Sequence, residues 1–337
     1  MTLVLEELDT PGFHRVVVAR DADARYEAVL AIHDIARGVA IGGTRLRSYR
    51  SLDDAIHDAQ RLARNMTLKS AFADLPFGGG KAVIVEPKGA YDRAALLRAH
   101  GRAIESLGGD YITAEDVGTT PDDLIHVRAE TFNVVEITDE SIDSAWATAR
   151  GVLRAIEGAT QALFDLPGLE ERVVAVQGCG ATGRRLTEDL ISLGAAVLVA
   201  DTVVDRAAAC EQLGAQRRLP EEIVEVACDT LAPCALGGVL TAGVARSIRA
   251  RVVAGSANNQ LADLAGDDIL FSRGVAFVPD FVANAGGVIA ATPELLGWSK
   301  DRAIDRIDGI QRVVGLLAAE SVDRGRSMLQ CAMERVS

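Results

Sequence analysis

Lysine is scarce in this chain: four residues, at 69, 81, 88 and 300, against 31 arginines among 337 positions. Arginine stays protonated at any ordinary pH, whereas a buried lysine can give up its proton. The few lysines are therefore worth inspecting, although thinning by codon bias accounts equally well for their number. Net positive charge is missing too. The formal balance is -13, which argues against nucleic acid, whose phosphates demand clustered Lys and Arg, and against anionic membranes. No apolar run reaches the roughly 18 residues of a spanning helix. The start, Met1-Thr2-Leu3-Val4-Leu5-Glu6-Glu7, lacks the basic region and long apolar stretch of a secretion signal. The five cysteines (179, 210, 228, 234, 331) make no C-x-x-C, and the five histidines no H-E-x-x-H. Neither a disulfide framework nor a metal site is indicated. Reduced thiols without a signal give a cytoplasmic expectation. Repeats and low-complexity segments are absent as well.

What is present suits two globular domains: 49% hydrophobic and 25% charged residues support a core of normal size. The first half opens with strand-like runs, Val16 to Ala19 and Tyr26 to Ile32. A helix follows, announced by Ser51 with Asp54 three residues on, a capping-box-like start. Its apolar residues Leu52, Ala55, Ile56, Ala59, Leu62, Ala63 and Met66 keep helical spacing. Gly78-Gly79-Gly80 then precedes Lys81 and the strand Ala82 to Val85. A second helix, about Asp92 to Leu107, stops at Gly108-Gly109, and a short strand, Tyr111 to Thr113, leads to Asp116. The second half holds a long helix, Ser144 to Phe164, ending before Pro167-Gly168. Strand–helix alternation follows, through Val173 to Gln177, Thr182 to Leu193, Ala196 to Ala200, Val252 to Ala254 and Val275 to Phe277. Such alternation predicts an α/β protein with a doubly wound parallel sheet. The boundary falls near residue 140, giving an N-terminal α/β domain over 1–140 and a Rossmann-type domain over 141–299. The last helices, about 300–337, are expected to fold back on the first domain.

Gly178-Cys179-Gly180-Ala181-Thr182-Gly183 matches G-x-G-x-x-G. An apolar strand precedes it, a helix follows, and the next strand ends in Asp201, 23 residues after Gly178. The glycines permit a tight turn and let backbone approach a pyrophosphate at the helix N-terminus. Asp201 would accept from the adenosine ribose diol and repel a 2′-phosphate, favouring NAD over NADP, with Arg206 weakening that preference slightly. The ordinary alternative is a phosphate-free turn with a solvated aspartate.

The first half carries candidate chemistry. Gly42-Gly43, after a strand, offers backbone N–H groups to an anion. Lys69 reads as a carboxylate anchor or as a favourable cation at a helix C-terminus. Lys81, between the glycines and an apolar strand, reads as a buried lysine of lowered pKa or as a strand-edge lysine. It is no P-loop lysine, because G-x-x-x-x-G-K-[ST] is not satisfied. Asp116, at a strand end beside Val117-Gly118, suits acid/base work or an Asx-turn. Taken singly, none of these escapes its ordinary alternative.

Together the pieces resemble the Glu/Leu/Phe/Val dehydrogenase family, in its leucine, valine and phenylalanine dehydrogenase branch. The stretches that carry the resemblance are Ile41-Gly42-Gly43-Thr44-Arg45, Met66-Thr67-Leu68-Lys69, Gly78 to Ile84, Tyr111 to Thr119, Ala232 to Gly238, Ala257 to Leu261 and Pro279 to Ile289. The resemblance implies a substrate domain and an NAD-binding domain with a cleft between them, closing on both ligands. It implies that Lys81 activates water and polarises the carbonyl, that Asp116 is the acid/base at the amine, and that Lys69 binds the substrate carboxylate with backbone help near Gly42 and Gly43. Ile41, Met66, Ala114, Val288 and Ala291 would border the substrate. Asn258 and Asn284 would lie near nicotinamide and substrate, and Thr148 beside the cofactor.

The implied reaction is reversible, NAD-dependent deamination of a hydrophobic L-amino acid to a 2-oxo acid and ammonia by a homo-oligomer. No charged residue lines the implied side-chain pocket, which disfavours glutamate. Ala291 stands where branched-chain enzymes carry a larger aliphatic residue, leaving room for an aromatic side chain. One segment departs: the family's S-G-D-P-S-P-V-T reads Ser141-Ile142-Asp143-Ser144-Ala145-Trp146-Ala147-Thr148 here. Its change puts substrate identity and closure in question. Two alternatives stay open, an oxidoreductase of a related amine or imine in specialised metabolism and a catalytically silent NAD-binding regulator.

Overall fold

A computed structural model describes residues 3–136, 138, 141–164 and 168–336. Met1, Thr2 and Pro167, used above to read the chain start and a helix end, lie outside the described residues. The chain divides into two units, Met1–Glu140 and Ser141–Ser337.

In the first unit, β1 (Val4–Glu7), β2 (Arg15–Asp21), β3 (Tyr26–Asp34), β4 (Ala40–Arg47), β5 (Gly78–Val85) and β6 (Tyr111–Glu115) form one sheet. Its order is β1-β2-β3-β5-β4-β6. The β1-β2-β3-β5 neighbours run antiparallel, while β4 lies parallel to both β5 and β6. Three helices accompany it: α1 (Leu52–Phe72), α2 (Arg93–Glu105) and α3 (Pro121–Arg128). Successive strand residues face opposite ways, so the run Val16-Val17-Val18-Ala19 feeds two cores. Val17, Ala28, Leu30 and Ile84 pack with Leu96, Ile104 and Leu124 of α2 and α3. Val16, Val18, Val29 and Val83 pack with Ala55, Ala59 and Ala63 of α1.

Two details differ from the sequence expectation. Gly42-Gly43 lies inside β4 rather than after a strand, and Gly78-Gly79-Gly80 opens β5 rather than preceding it. Close packing explains both. A Cβ on Gly79 would lie 2.1 Å from the Thr67 backbone nitrogen of α1, and one on Gly80 2.6 Å from the Tyr111 ring. The start of α1 is also simpler than a capping box. The Ser51 hydroxyl accepts from the Asp54 N–H, but the Asp54 carboxylate binds Arg50. A full box sits instead at Thr120 and Asp123 of α3.

The second unit begins with α4 (Ser144–Phe164). Then come β7 (Val173–Gln177), α5 (Ala181–Ser192), β8 (Ala196–Ala200), α6 (Val204–Glu211), β9 (Gln216–Arg217) and β10 (Thr230–Pro233). These are followed by α7 (Ala242–Ser247), β11 (Val252–Val253), α8 (Ala265–Ser272), β12 (Ala276–Phe277), α9 (Asp280–Ala283), α10 (Gly286–Ile289) and α11 (Thr292–Leu296). The chain finishes with α12 (Lys300–Asp308), α13 (Ile310–Arg324) and α14 (Met328–Val336). Its all-parallel sheet has the order β12-β11-β10-β7-β8-β9. This is the doubly wound arrangement, with its order reversing between β7 and β10.

Residues 300–337 group with this second unit, where the expectation joined them to the first. The cause lies in α4. Arg150 and Arg154 both bind Asp308 of α12, at 2.6 and 2.9 Å. Gly158 lets α13 close in, since a Cβ there would lie 2.3 Å from the Gln311 carbonyl oxygen. Among the described residues no helix is long and apolar enough to cross a membrane. Among them, too, no group of three or more His, Cys, Asp or Glu could hold a metal ion.

Candidate active site

The period of two along β4 and β5 places Arg45 and Lys81 on the same sheet face as Val83 and α1. Both are buried, and β6 delivers Asp116 beside them. Lys81 Nζ lies 2.9 Å from Asp116 Oδ1, and Arg45 Nε lies 2.9 Å from Oδ2. Arg45 Nη1 also reaches Asp58 Oδ2 at 3.0 Å. Asp58, on α1, is held further by the Tyr49 hydroxyl at 2.8 Å and by Arg61 at 3.1 Å. After Asp116 the chain reverses at Gly118, whose φ of +86° and 1.8 Å would-be contact with the Leu46 carbonyl admit no side chain. The Asp116 N–H donates to the Thr119 hydroxyl, which in turn donates to the Thr44 carbonyl.

The electrostatics are asymmetric. Burial opposes ionisation of Asp116, yet Lys81 and Arg45 outweigh it and hold the carboxyl well below the usual carboxylate range. Burial lowers the pKa of Lys81; Asp116 draws it back up and Arg45 pushes it down again. The carboxylate meets two cations, while the lysine meets one anion and one like charge. Asp116 is therefore the firmly ionised member, and Lys81 the group that can shed its proton.

The first unit also carries the expected substrate residues. Gly42 and Gly43 pair with Thr113 and Ala114 of β6. The β4–β5 ladder runs through Ile41 with Gly79 and resumes at Thr44 with Ala82, lapsing across Gly42-Gly43. The Tyr111 hydroxyl donates to the Gly42 carbonyl at 2.5 Å. Met66 borders the same spot, its Cγ lying 3.5 Å from where a Gly42 Cβ would be, and Asp116 Cβ lies 2.9 Å from the corresponding point on Gly43. Ile41 is buried on β4, and Lys69 is buried on α1.

In the second unit the glycine turn joins β7 to α5, at the reversal of strand order. Gly178 has φ +96° and abuts Ala235, and a Cβ on Gly183 would lie 1.9 Å from the Gly178 carbonyl oxygen. That contact clamps helix to strand. Gly180 caps α5 with no side-chain hydrogen bond, and a Cβ there would meet nothing within 4 Å. Open space before unfilled N–H groups of a helix is the form of a pyrophosphate cradle. Cys179 is buried, its N–H donating to Asp201 Oδ2 at 2.7 Å, while Asp201 Oδ1 accepts from the Val203 N–H at 2.8 Å. A carboxylate has lone pairs left for a ribose diol. Ala181 and Thr182 form the first turn of α5. Asn284 donates to Asn258 Oδ1 at 3.0 Å, and its own Oδ1 is buried without a partner. Thr148 donates back to the Ser144 carbonyl and packs against Gly287. Val288 is buried on α10, and Ala291, half-buried, caps α11.

Residues 13–133 match the family described as Glu/Leu/Phe/Val dehydrogenase, dimerisation domain, and residues 202–312 match Glutamate/Leucine/Phenylalanine/Valine dehydrogenase. The chain belongs to the Glu/Leu/Phe/Val dehydrogenase family. It is 40% identical to leucine dehydrogenase of Geobacillus stearothermophilus, over 98% of this chain and 92% of that protein. It is 37% identical to phenylalanine dehydrogenase of Lysinibacillus sphaericus, over 88% and 81%. It also resembles the crystal structure of L-tryptophan dehydrogenase from Nostoc punctiforme, with TM-score 0.78 and 34% identity over 96% and 95% of the two chains. This family member is an amino-acid dehydrogenase acting on a CH–NH2 group.

The two family matches leave residues 134–201 between them, the stretch holding the altered Ser141 to Thr148 segment of this dehydrogenase. Asp143 there is a helix cap, accepting from the Trp146 N–H at 2.8 Å and pairing with Arg185 of α5 at 2.6 Å. Trp146 stacks on Arg150 one turn along its own helix. Sequence reasoning missed Arg45, Asp58, Tyr49 and Thr119. The signal for Asp58 was available, because it interrupts the apolar stripe of Ala55, Ala59 and Leu62 that α1 buries.

Proposed function

We propose that this dehydrogenase catalyses the reversible, NAD-dependent oxidative deamination of a hydrophobic L-amino acid, branched-chain or aromatic, to the 2-oxo acid and ammonia. The observation that carries the reading is the ion pair of buried Lys81 with half-buried Asp116, 2.9 Å apart. NAD supplies the hydride acceptor when bound. The turn from Gly178 to Gly183 would hold its pyrophosphate, Asp201 its adenosine ribose, and Thr148, Asn258 and Asn284 its nicotinamide end. The orphaned Asn284 Oδ1 suits a carboxamide N–H donor. Lys69 and backbone N–H groups at Gly42-Gly43, where the ladder lapses, would anchor the substrate carboxylate.

Hydride loss from Cα leaves an imino acid. Lys81, whose pKa burial lowers, acts in its neutral form: it takes a proton from the water that adds to the imine carbon, giving a carbinolamine. That protonation cancels no charge on Asp116 but restores its ammonium partner, and Asp116 exchanges a proton with the amine as ammonia departs. Asp116 has taken that proton from the substrate ammonium before hydride leaves; the carbinolamine hydroxyl passes its own proton to the departing ammonia, and the Lys81 ammonium donates a hydrogen bond to the new carbonyl oxygen. Ile41, Met66 and Ala114 of the first unit carry no charge, nor do Val288 and Ala291 of the second. The match to a dimerisation domain supports a homo-oligomer, and five free cysteines support a cytoplasmic setting.

The test is NAD reduction by purified protein against a panel of hydrophobic L-amino acids at alkaline pH, with Lys81→Ala alongside. Turnover on at least one amino acid, abolished in Lys81→Ala with NAD binding retained, is expected. Full turnover in the variant would overturn the role of Lys81. NAD binding without turnover on any amino acid would move the reading to a silent NAD-binding regulator. Turnover confined to related amines or imines would favour the rival that the altered 141–148 segment suggests.

A further inference from the structure

Arg45 stands in the motif Gly42-Gly43-Thr44-Arg45, whose glycines have a role in the reading above and whose arginine has none. We infer that Arg45 is a positioning residue for the deamination, a two-headed clamp that holds one oxygen of Asp116 so that the other is presented to Lys81. The inference rests on the proposed roles of Lys81 and Asp116 and goes beyond them.

The geometry is specific to a guanidinium. Nε reaches Asp116 Oδ2 at 2.9 Å while Nη1 reaches Asp58 Oδ2 at 3.0 Å. A planar fork can serve two carboxylates in fixed directions; a lysine ammonium presents one charge point on a flexible stem. Arg45 cannot drift toward Asp116 or away from it, because its far partner is itself locked. Asp58 Oδ2 also accepts from Tyr49, and Asp58 Oδ1 pairs with Arg61. The clamp is thus anchored on α1 and β4 at once, and it fixes a carboxylate that lies on the loop after β6, beyond regular structure.

The charged groups facing the pair come from every neighbouring element: Lys81 from β5, Arg45 from β4, Asp58 from α1 and Asp116 after β6, with the Tyr111 phenol of β6 also feeling Asp116. Arg45 stabilises the Asp116 carboxylate and repels the Lys81 ammonium, whereas Asp58 favours that ammonium. Two neighbours of opposite sign therefore act on Lys81 in opposite directions.

That opposition supplies the test, read in the full-length enzyme as kcat/KM against pH together with NAD affinity. The ascending limb reports loss of the Lys81 proton. Arg45→Gln should move this limb to higher pH by about one unit and lower kcat at least tenfold, with NAD affinity unchanged. Asp58→Asn should move it the other way, to lower pH, by a smaller step. General structural damage lowers activity without moving the limb in opposite directions. Arg45→Lys keeps the charge and loses the fork. It should keep the limb near its original pH while kcat falls, and it serves as the test if Arg45→Gln does not fold. An unmoved limb in folded Arg45→Gln, or undiminished kcat in Arg45→Lys, overturns the inference. A fully active Lys81→Ala would instead sink the underlying reading, so the two failures are distinguishable.

Discussion

The two units of this dehydrogenase build their proposed sites from opposite materials. In the first, charged side chains from two neighbouring strands, one helix and the loop after β6 neutralise one another away from bulk water: Lys81, Arg45, Asp58 and Asp116. In the second, the principal elements are backbone: glycines at a strand–helix turn and N–H groups left open at the start of α5. A site made of charges answers to protons and to the loss of a single side-chain atom. A site made of backbone answers to added bulk. Proton transfer needs groups that titrate, while holding an anion needs only fixed dipoles.

The comparison can be broken at either unit. The largest effect is expected from Asp116→Asn, which keeps shape and removes charge. Deamination kcat should fall by about 10²- to 10⁴-fold, the usual contribution of a positioned acid/base group, while NAD affinity measured by calorimetry stays as it was. Gly183→Ala should do the reverse. Its new methyl falls 1.9 Å from the Gly178 carbonyl oxygen, so α5 must shift, at a cost of about 1–3 kcal/mol, read as a lower melting temperature and weaker NAD binding. Gly180→Ala, which enters open space, should melt closer to the parent yet still bind NAD less well. Equal NAD affinity in both variants would mean that the backbone turn is not the cradle.

Acid sharpens the contrast next. Asp116 and Asp58 both titrate below the ordinary 3.8 because cations face them. Unfolded chain then takes up protons before folded chain does, so their stabilising effect is complete above about pH 5 and fades as pH falls through and below 4. Circular dichroism melts from pH 6 to 3 should show the first unit's loss shrinking in Asp58→Asn. The smallest effect belongs to Asp143→Ala, which removes the cap of α4 and should cost about 1 kcal/mol, measured by denaturant titration, with kcat little changed.

Much of the fold was legible because its strands are apolar on both faces. Val16 to Ala19 and Val173 to Gln177 read as strands for that reason. The glycine-rich parts of β4 and β5 did not, since glycine normally marks a turn. Here it is required by distance, with α1 passing so near Gly79 that no side chain fits. The grouping of the last helices with α4 was not legible, because the Arg150 and Arg154 pairs with Asp308 span more than 150 positions and no local pattern announces them. Within the site, Lys81 and Asp116 stood out only once the whole set of motifs was read together. Arg45 and Asp58 are ordinary arginine and aspartate until strand register puts them on one face.

The lysine inventory has a practical side. Of four amines, Lys69 and Lys81 are buried, leaving exposed Lys88 in the first unit and half-buried Lys300 in the second. Acylating labels and aldehyde-activated resins would thus find about one side-chain handle per unit, and neither handle is a proposed site residue. Random lysine coupling, usually a scattershot method, should on this enzyme fall chiefly on these two side chains, with Lys69 and Lys81 spared.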